Sequence, residues 1–155
     1  MNLQLDGEIA LVTGASRGIG AAIAQRLGRS GATVIGTATS DSGAERIGQS
    51  LAEAGITGRG IQLDVRDAEQ IPALVADIAA GEGSPSILVN NAGITRDNLA
   101  MRMGDDDWDS VIETNLSAVF RVSRAVLRGM MKARHGRIIN IGSVVGLMGN
   151  AGQTN

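Results

Sequence analysis

The chain has 155 residues, with 14 Lys+Arg against 16 Asp+Glu, one His, no Cys and no Tyr. The lack of cysteine excludes disulfides, thiol nucleophiles and thiolate metal sites, and a single histidine argues against a zinc site. A net charge of −2 gives no electrostatic reason to expect nucleic-acid binding. The sequence carries no secretory signal pattern and no stretch near the ~20 apolar residues of a membrane span, so we expect a soluble, cytoplasmic protein.

Short apolar runs alternate along the chain with apolar residues at helical spacing, which predicts βαβ units and a mostly parallel sheet. In chain order we predict a strand at 9–12, a helix from Ile19 to about Gly28, a strand at 33–37, a helix at 44–54, a strand at 61–63, a helix from Ile71 ended by Gly81, a strand at 87–89, a long helix from about 106 to 134, a strand at 137–141 and loop from 142 to 155. Right-handed crossovers place the strands in the order 3-2-1-4-5 of an α/β, doubly wound Rossmann-type sheet. Ligands of such sheets bind beyond the carboxyl ends of the strands.

A glycine-rich turn, Thr13-Gly14-Ala15-Ser16-Arg17-Gly18-Ile19-Gly20, joins the first predicted strand to the first helix. Glycines let the chain turn tightly and let a phosphate approach the backbone, while free N–H groups and the positive end of the helix dipole attract the anion. A plain strand-to-helix turn also uses glycine. The position directly after the first strand favours dinucleotide binding, with cofactor-binding residues Gly14, Ala15, Ser16, Arg17, Gly18, Ile19 and Gly20.

Three further features accompany this Gly-x-x-x-Gly-x-Gly spacing. They are Asn90-Asn91-Ala92-Gly93 after the fourth strand, Asn115 in the long helix and Ser143 after the fifth strand. The set resembles the short-chain dehydrogenase/reductase family over the whole chain. We therefore expect residues 1–155 to be a single NADP-binding Rossmann domain, the N-terminal part of a longer reductase and truncated after the fifth strand.

A closer resemblance rests on segments 91–99, 101–103, 113–116 and 135–143, together with Trp108. These resemble the 3-oxoacyl-[acyl-carrier-protein] reductases of bacterial fatty acid synthesis, which implies reduction of a 3-ketoacyl thioester on acyl carrier protein with NADPH. Alternatives within the class are a 3-ketoacyl-CoA reductase or another short-chain dehydrogenase. From a different class, a non-catalytic dinucleotide-binding module is the alternative. Whether Tyr-x-x-x-Lys follows Asn155 in the parent gene would separate the two classes.

The residues after the second strand bear on the choice of cofactor. An acidic residue there would hydrogen-bond the ribose 2′-hydroxyl of NAD and repel a 2′-phosphate. The position is held by Ala38, followed by Thr39 and Ser40, and Arg17 supplies a positive charge nearby. We therefore expect NADPH rather than NADH, although a slightly different strand end would bring Asp41 close.

The resemblance also assigns residues beyond the glycine loop. It implies that Asp64 and Val65 border the adenine, and that Asn91, Ala92 and Gly93 shape the floor under the ribose and nicotinamide. A helix cap is another role for Asp64, and the two roles are compatible.

The catalytic residues implied by the resemblance are Ser143 and Asn115. The Ser143 hydroxyl would hydrogen-bond the substrate carbonyl and the alkoxide that forms from it, and Asn115 would hold a water on a proton-relay path. The family takes its proton donor from Tyr-x-x-x-Lys, whereas this chain has no Tyr. We therefore expect the chain to be a fragment of a longer enzyme, inactive on its own.

A row of cations on the long helix has two interpretations. Arg121, Arg124, Arg128 and Lys132 recur at helical spacing, which is typical of a solvated face. The alternative is a docking patch for the acidic acyl carrier protein that includes Arg128, Arg134 and Arg137. Apolar residues on other faces of this helix suggest a subunit contact, with a purely internal core as the alternative, and the resemblance implies a homotetramer.

Four minor features receive structural interpretations. Asp105-Asp106-Asp107 is expected to be an acidic cluster at the positive end of a helix rather than a metal site. His135 is expected at a helix terminus without a catalytic partner. Trp108 and Phe120 are expected to be packing residues, because no basic groove accompanies them.

Overall fold

All five strands of the computed structural model, which describes residues 4–155, run parallel in one sheet ordered β3-β2-β1-β4-β5. The elements in chain order are β1 Ile9–Val12, α1 Gly18–Arg29, β2 Thr33–Ala38, α2 Asp41–Glu53, β3 Gly58–Gln62, α3 Gln70–Gly81, β4 Ile87–Asn90, a 3-10 turn Ala100–Arg102, α4 Asp105–Ile112, a π-helical segment Glu113–Ser117, α5 Ala118–Ala133, β5 Arg137–Asn140 and α6 Val145–Met148. The predicted α/β class and strand order are confirmed.

Helices cover both faces of the sheet, so the inner strands are buried on both sides. Ala10, Val12 and Val34 belong to the apolar cluster that also holds residues of α1 and α2. Leu11 and Ile35 belong to a second cluster with residues of α3 and α5. Burial on two faces explains why the first strands read as uninterrupted apolar runs rather than as alternating patterns.

The third strand differs from its prediction. It spans Gly58–Gln62 instead of 61–63, and glycine is a poor indicator of a strand. A Cβ on Gly58 would lie 2.1 Å from the Val34 carbonyl oxygen, and one on Gly60 would lie 1.9 Å from the Ala44 carbonyl oxygen of α2. Glycine is therefore required at both positions, because the backbone of β2 lies against Gly58 and the backbone of α2 lies against Gly60.

The predicted second helix begins three residues earlier than expected, at Asp41 rather than 44. The Ser40 hydroxyl accepts a hydrogen bond from the Gly43 N–H at 3.2 Å and caps the helix. The helix ends at Glu53, one residue before the predicted end.

The predicted long helix is not one regular helix. It is divided into α4 and α5 by the π-helical segment around Asn115, and Asp105, Asp106 and Asp107 form the first turn of α4 as predicted. His135 follows the end of α5, and its Nε2 lies 2.9 Å from a Glu8 carboxylate oxygen.

Three further predictions near these elements differ from the structure. Segment 142–155 and β5 account for two of the differences, and the third concerns exposure: Trp108 and Phe120 are 43% and 62% exposed, so their predicted packing is not within the interior of this chain. Segment 142–155 contains a short helix, α6, rather than loop alone. β5 ends at Asn140, one residue earlier than predicted, and its Ile138 and Ile139 are 36% and 45% exposed. Within residues 4–155, no helix has both the length and the apolar character needed to cross a membrane.

Replacing Gly60 by Ala should destabilise the chain, since α2 would have to move away from the new methyl group. Overpacking of this kind costs at least about 1–3 kcal/mol. The matched control is Gly48→Ala in the facing helix, where the nearest atom would be 3.9 Å away. That change should raise the free energy of unfolding by up to about 1 kcal/mol, the helix-propensity difference. Urea denaturation compares the two variants, and equal shifts of the midpoint would contradict this account of β3.

Candidate active site

The glycine loop after β1 presents its backbone to an open crevice. Gly14 and Gly18 adopt φ values of +65° and +57°, the left-handed region that favours glycine. A Cβ on Gly20 would lie 2.2 Å from the Gly14 carbonyl oxygen and 2.4 Å from Asn91 Nδ2. Among the described residues, none accepts a hydrogen bond from the backbone N–H groups of residues 16–20. These donors surround the positive end of α1 and suit an anion.

The segment after β4 is fastened to this loop through Thr13 and Asn91. The Thr13 hydroxyl oxygen accepts hydrogen bonds from the Asn91 and Ala92 N–H groups, each at 3.0 Å. The Asn91 side-chain amide donates to the carbonyl oxygens of Thr13 and Gly14 at 2.9 and 3.0 Å. One wall of the crevice is thereby fixed relative to the other.

The crevice has a volume of about 560 Å³ and collects nearly all the predicted cofactor-binding residues. Its lining includes Gly14, Ser16, Arg17, Gly18, Ile19, Gly20, Thr39, Asp64, Val65, Asn91, Ala92 and Gly93. Ala15 lies apart from the lining, because its side chain is buried in the core and its N–H donates to the Thr37 carbonyl oxygen at 2.8 Å. Asp41, which could have opposed a 2′-phosphate, lies in the first turn of α2 and does not line the crevice.

Thr37 is a lining residue that the sequence reasoning missed. It is 1% exposed, and its hydroxyl oxygen has no hydrogen-bond partner within residues 4–155. An unpaired buried hydroxyl costs about 1–3 kcal/mol, so a ligand atom that pairs with it would recover that energy. The unpaired hydroxyl and the free backbone donors both fit a phosphorylated nucleotide. A polar residue near the end of an otherwise apolar strand was the available sequence signal.

Asp64 does not cap a helix, contrary to one of its two interpretations. Its carboxylate accepts from the Arg66 N–H at 3.0 Å and from the Arg66 guanidinium at 2.6 Å. This guanidinium holds the pKa of Asp64 below its usual value. The start of α3 is capped instead by Asp67, which accepts from the N–H groups of Glu69 and Gln70.

A second cleft, of about 690 Å³, contains both predicted catalytic residues, Ser143 and Asn115. Ser143 follows β5, and its hydroxyl oxygen accepts from the Val145 N–H at 3.2 Å. The Asn115 amide is held by the backbone of Ile94, accepting from its N–H and donating to its carbonyl oxygen, each at 2.9 Å. Ile94 borders the cleft and the crevice, so the two spaces adjoin.

The π-helical segment that carries Asn115 is tied to α5 by an ion pair. The Arg121 guanidinium binds the Glu113 carboxylate and lowers the pKa of that carboxyl group. It also donates to the Arg66 carbonyl oxygen at 3.4 Å, which links the segment to the crevice wall. No group of three or more His, Asp or Glu side chains in residues 4–155 is placed to hold a metal ion.

The other cations of α5 do not take part in this ion pair. The Arg124 guanidinium stacks 5.0 Å from the centroid of the Phe120 ring. Arg128 and Lys132 form no ion pair within the described ranges, and both line a groove between α3 and α5. Arg134 follows α5 in a left-handed conformation, and Arg137 begins β5. These last two residues therefore lie at the amino end of β5, whereas Ser143 follows its carboxyl end.

The parallel sheet, the glycine-rich crevice and the adjoining cleft define a dinucleotide-binding oxidoreductase fold. A profile described as short chain dehydrogenase matches residues 8–155, and the chain belongs to this family. Membership implies a nicotinamide dinucleotide cofactor.

Curated relatives match the chain over nearly its whole length. The 3-oxoacyl-[acyl-carrier-protein] reductase FabG of Pseudomonas aeruginosa is 63% identical over 153 residues, which are 99% of this chain and 62% of that protein. The proteins of the same name from Vibrio harveyi and Escherichia coli K12 are 62% and 60% identical, with the same coverage of 99% and 62%. The chain thus spans about 62% of the length of these relatives.

Proposed function

We propose that the protein carrying this chain reduces 3-oxoacyl-[acyl-carrier-protein] to the 3-hydroxyacyl form with NADPH, in fatty acid biosynthesis. The observation that carries the proposal is the junction at Ile94 between the glycine-rich crevice and the cleft that contains Ser143 and Asn115. A nicotinamide dinucleotide in the crevice could extend to the cleft across this junction. The similarity to 3-oxoacyl-[acyl-carrier-protein] reductases supports the substrate class.

Residues 1–155 are proposed to form the NADP-binding domain of that enzyme. Backbone N–H groups of residues 16–20 would hold the pyrophosphate, and Asp64 and Val65 would border the adenine. Thr39 and Arg17 line the crevice, and Asp41 does not, which supports NADPH over NADH. When bound, NADPH supplies the hydride for reduction.

Ser143 and Asn115 are proposed to act on the substrate side. The Ser143 oxygen accepts a hydrogen bond from the Val145 N–H, and within residues 4–155 its own proton has no acceptor, so it is free to be donated to a ketone oxygen. The hydrogen bond from Ser143 to the ketone would strengthen as negative charge develops on the ketone oxygen. Both polar atoms of the Asn115 amide are bound to Ile94, so this side chain would also fix the junction between crevice and cleft.

An acidic acyl carrier protein is the proposed partner, with Arg128, Arg134 and Arg137 as its docking residues. Complementary charge would accelerate the encounter. A homotetramer is also proposed, because Leu116, Phe120, Leu127 and Met131 are exposed at helical spacing along the π-helical segment and α5. Such an apolar stripe would be covered by a neighbouring subunit.

Changing Thr39 to Asp should reverse the cofactor preference, since its carboxylate would repel a 2′-phosphate and accept a hydrogen bond from a 2′-hydroxyl. We expect the Kd for NADPH to rise more than tenfold, about 1.4 kcal/mol, while that for NADH stays constant or falls. Thr39→Asn is the control of similar size without the charge. Fluorescence titration of the parent chain and of both variants with each cofactor measures the six dissociation constants. A parallel loss of affinity for NADH and NADPH would refute the assignment of Thr39.

Reversing Arg128 and Arg134 to Glu should slow reduction of a carrier-bound 3-ketoacyl substrate much more than reduction of a small 3-ketoacyl thioester. The reason is that only the carrier protein presents an acidic surface to these residues. Steady-state kcat/KM for the two substrates, measured on the chain extended to the length of its relatives, provides the comparison. Equal slowing of both reactions would discard the docking assignment.

The 155-residue chain alone should reduce no 3-ketoacyl thioester at an enzymatic rate, because it has no Tyr to donate the proton. An extended form that includes Tyr-x-x-x-Lys should be active, and the same form with that Tyr changed to Phe should not. The rate of NADPH oxidation, followed by absorbance, distinguishes the short chain, the extended form and the extended form with Phe in place of that Tyr. Activity of the short chain would contradict the need for the Tyr, whereas an inactive extended form that still binds NADPH would overturn the proposed function.

A further inference from the structure

Two segments that border the Ser143 cleft are bound directly to each other. One is the segment after β4 and the other is the end of the chain after α6. The Asn98 N–H donates to the Gly152 carbonyl oxygen at 2.8 Å, and Asn98 and Gln153 form an isolated parallel bridge. Gln153 Nε2 donates to both carboxylate oxygens of Asp97, at 3.1 and 3.2 Å. The Asp97–Gln153 contact thus joins two segments separated by more than fifty residues.

The orientation of the Gln153 amide is set by its neighbours. Asn150 Nδ2 donates to Gln153 Oε1 at 3.2 Å, so the Gln153 NH₂ group is the one turned towards Asp97. Gly152 adopts φ of +79°, a conformation that favours glycine and lets its carbonyl oxygen meet the Asn98 N–H. The local chain therefore presents a donor, and not an acceptor, to the carboxylate.

The segment after β4 is held at a second point as well. Asn115 binds both backbone polar atoms of Ile94, three residues before Asp97. Asp97, Asn115, Ser143 and Gln153 all line the same cleft. The wall from Ile94 to Asp97 is thus fixed at one end by the π-helical segment and at the other end by Gln153.

We propose that Asp97 and Gln153 are positioning residues that set the distance between the two walls of the cleft and thereby the placement of the ketone against Ser143. The inference rests on the proposed function for its substrate. Neither side chain is assigned contact with the reacting atoms. Their effect would come from alignment, since misplacement by about 1 Å can cost a reaction on the order of 100-fold in rate.

The pair can be tested by exchanging its polarity in the chain extended to the length of its relatives. Gln153→Glu places two carboxylates in contact and should lower kcat/KM for a small 3-ketoacyl thioester by on the order of 100-fold. Asp97→Asn keeps an acceptor for the Gln153 amide and should cost only a few-fold. The double variant Asp97→Asn with Gln153→Glu restores a donor and a carboxylate in swapped places, so kcat/KM should recover to within about fivefold of the parent.

Two controls separate alignment from general damage. Asp106→Asn makes the same chemical change at an exposed carboxylate in the first turn of α4 and should leave kcat/KM unchanged. The Kd for NADPH should stay constant in all variants, because neither Asp97 nor Gln153 lines the crevice. A double variant as slow as Gln153→Glu, or a Kd for NADPH that rises in step with the loss of rate, would overturn the proposal.

Hydrogen exchange provides a readout that needs no activity. The Asn98 amide, which is bonded to Gly152, should exchange faster in Gln153→Glu and return to the parent rate in the double variant. If the extended parent reduces no thioester, the proposed function fails. The exchange rates of the Asn98 amide still test whether the Asp97–Gln153 contact holds the two segments together. Unchanged exchange in Gln153→Glu would show that the two segments are held without this contact and would refute the inference.

Discussion

The side-chain contact between the end of β1 and the end of β4 is the constraint on which the rest of the site depends. β1 and β4 are neighbours, and the chain crosses from one side of the sheet to the other between β3 and β4. Loops that leave the sheet at such a reversal diverge and open a crevice. Thr13 and Asn91 limit that divergence, because together they form four hydrogen bonds at 2.9–3.0 Å across the gap. The crevice and the cleft that contains Ser143 share Ile94 as a common border.

The parts of the fold that follow from local rules could be predicted from the sequence. Strand order follows from apolar runs and right-handed crossovers, and the glycine loop follows from a spacing that serves backbone geometry. The predicted juxtaposition of Ser143 with Asn115 required more than periodicity, because the two residues are far apart in the chain. The family resemblance supplied it, and the structure places both in one cleft.

The features that sequence reasoning missed depend on contacts between distant elements. Gly60 pairs with β2 in a strand although glycine is a poor strand former, and the close contact with α2 that requires glycine there is not visible from residue propensity. The π-helical segment is stabilised by the hydrogen bond between the Asn115 side chain and the Ile94 backbone and by the Arg121–Glu113 ion pair. The spacing of apolar residues does not reveal either contact. The partners of Asp97 and Thr37 depend in the same way on tertiary placement. At these places local preference and tertiary structure agree least, and a sequence pattern alone does not predict them.

The exposed apolar faces of β5 have a practical consequence for the isolated chain. Ile138 and Ile139 point to opposite faces of the sheet, and among the strands in residues 4–155 β5 pairs with β4 alone. Two copies aligned edge to edge would pair the free backbone N–H and C=O groups of β5 and join their sheets into one continuous sheet, with the exposed Ile138 and Ile139 side chains of the two copies side by side. Preparations at high concentration would therefore favour self-association, and sedimentation experiments on the short chain are best performed in dilute solution.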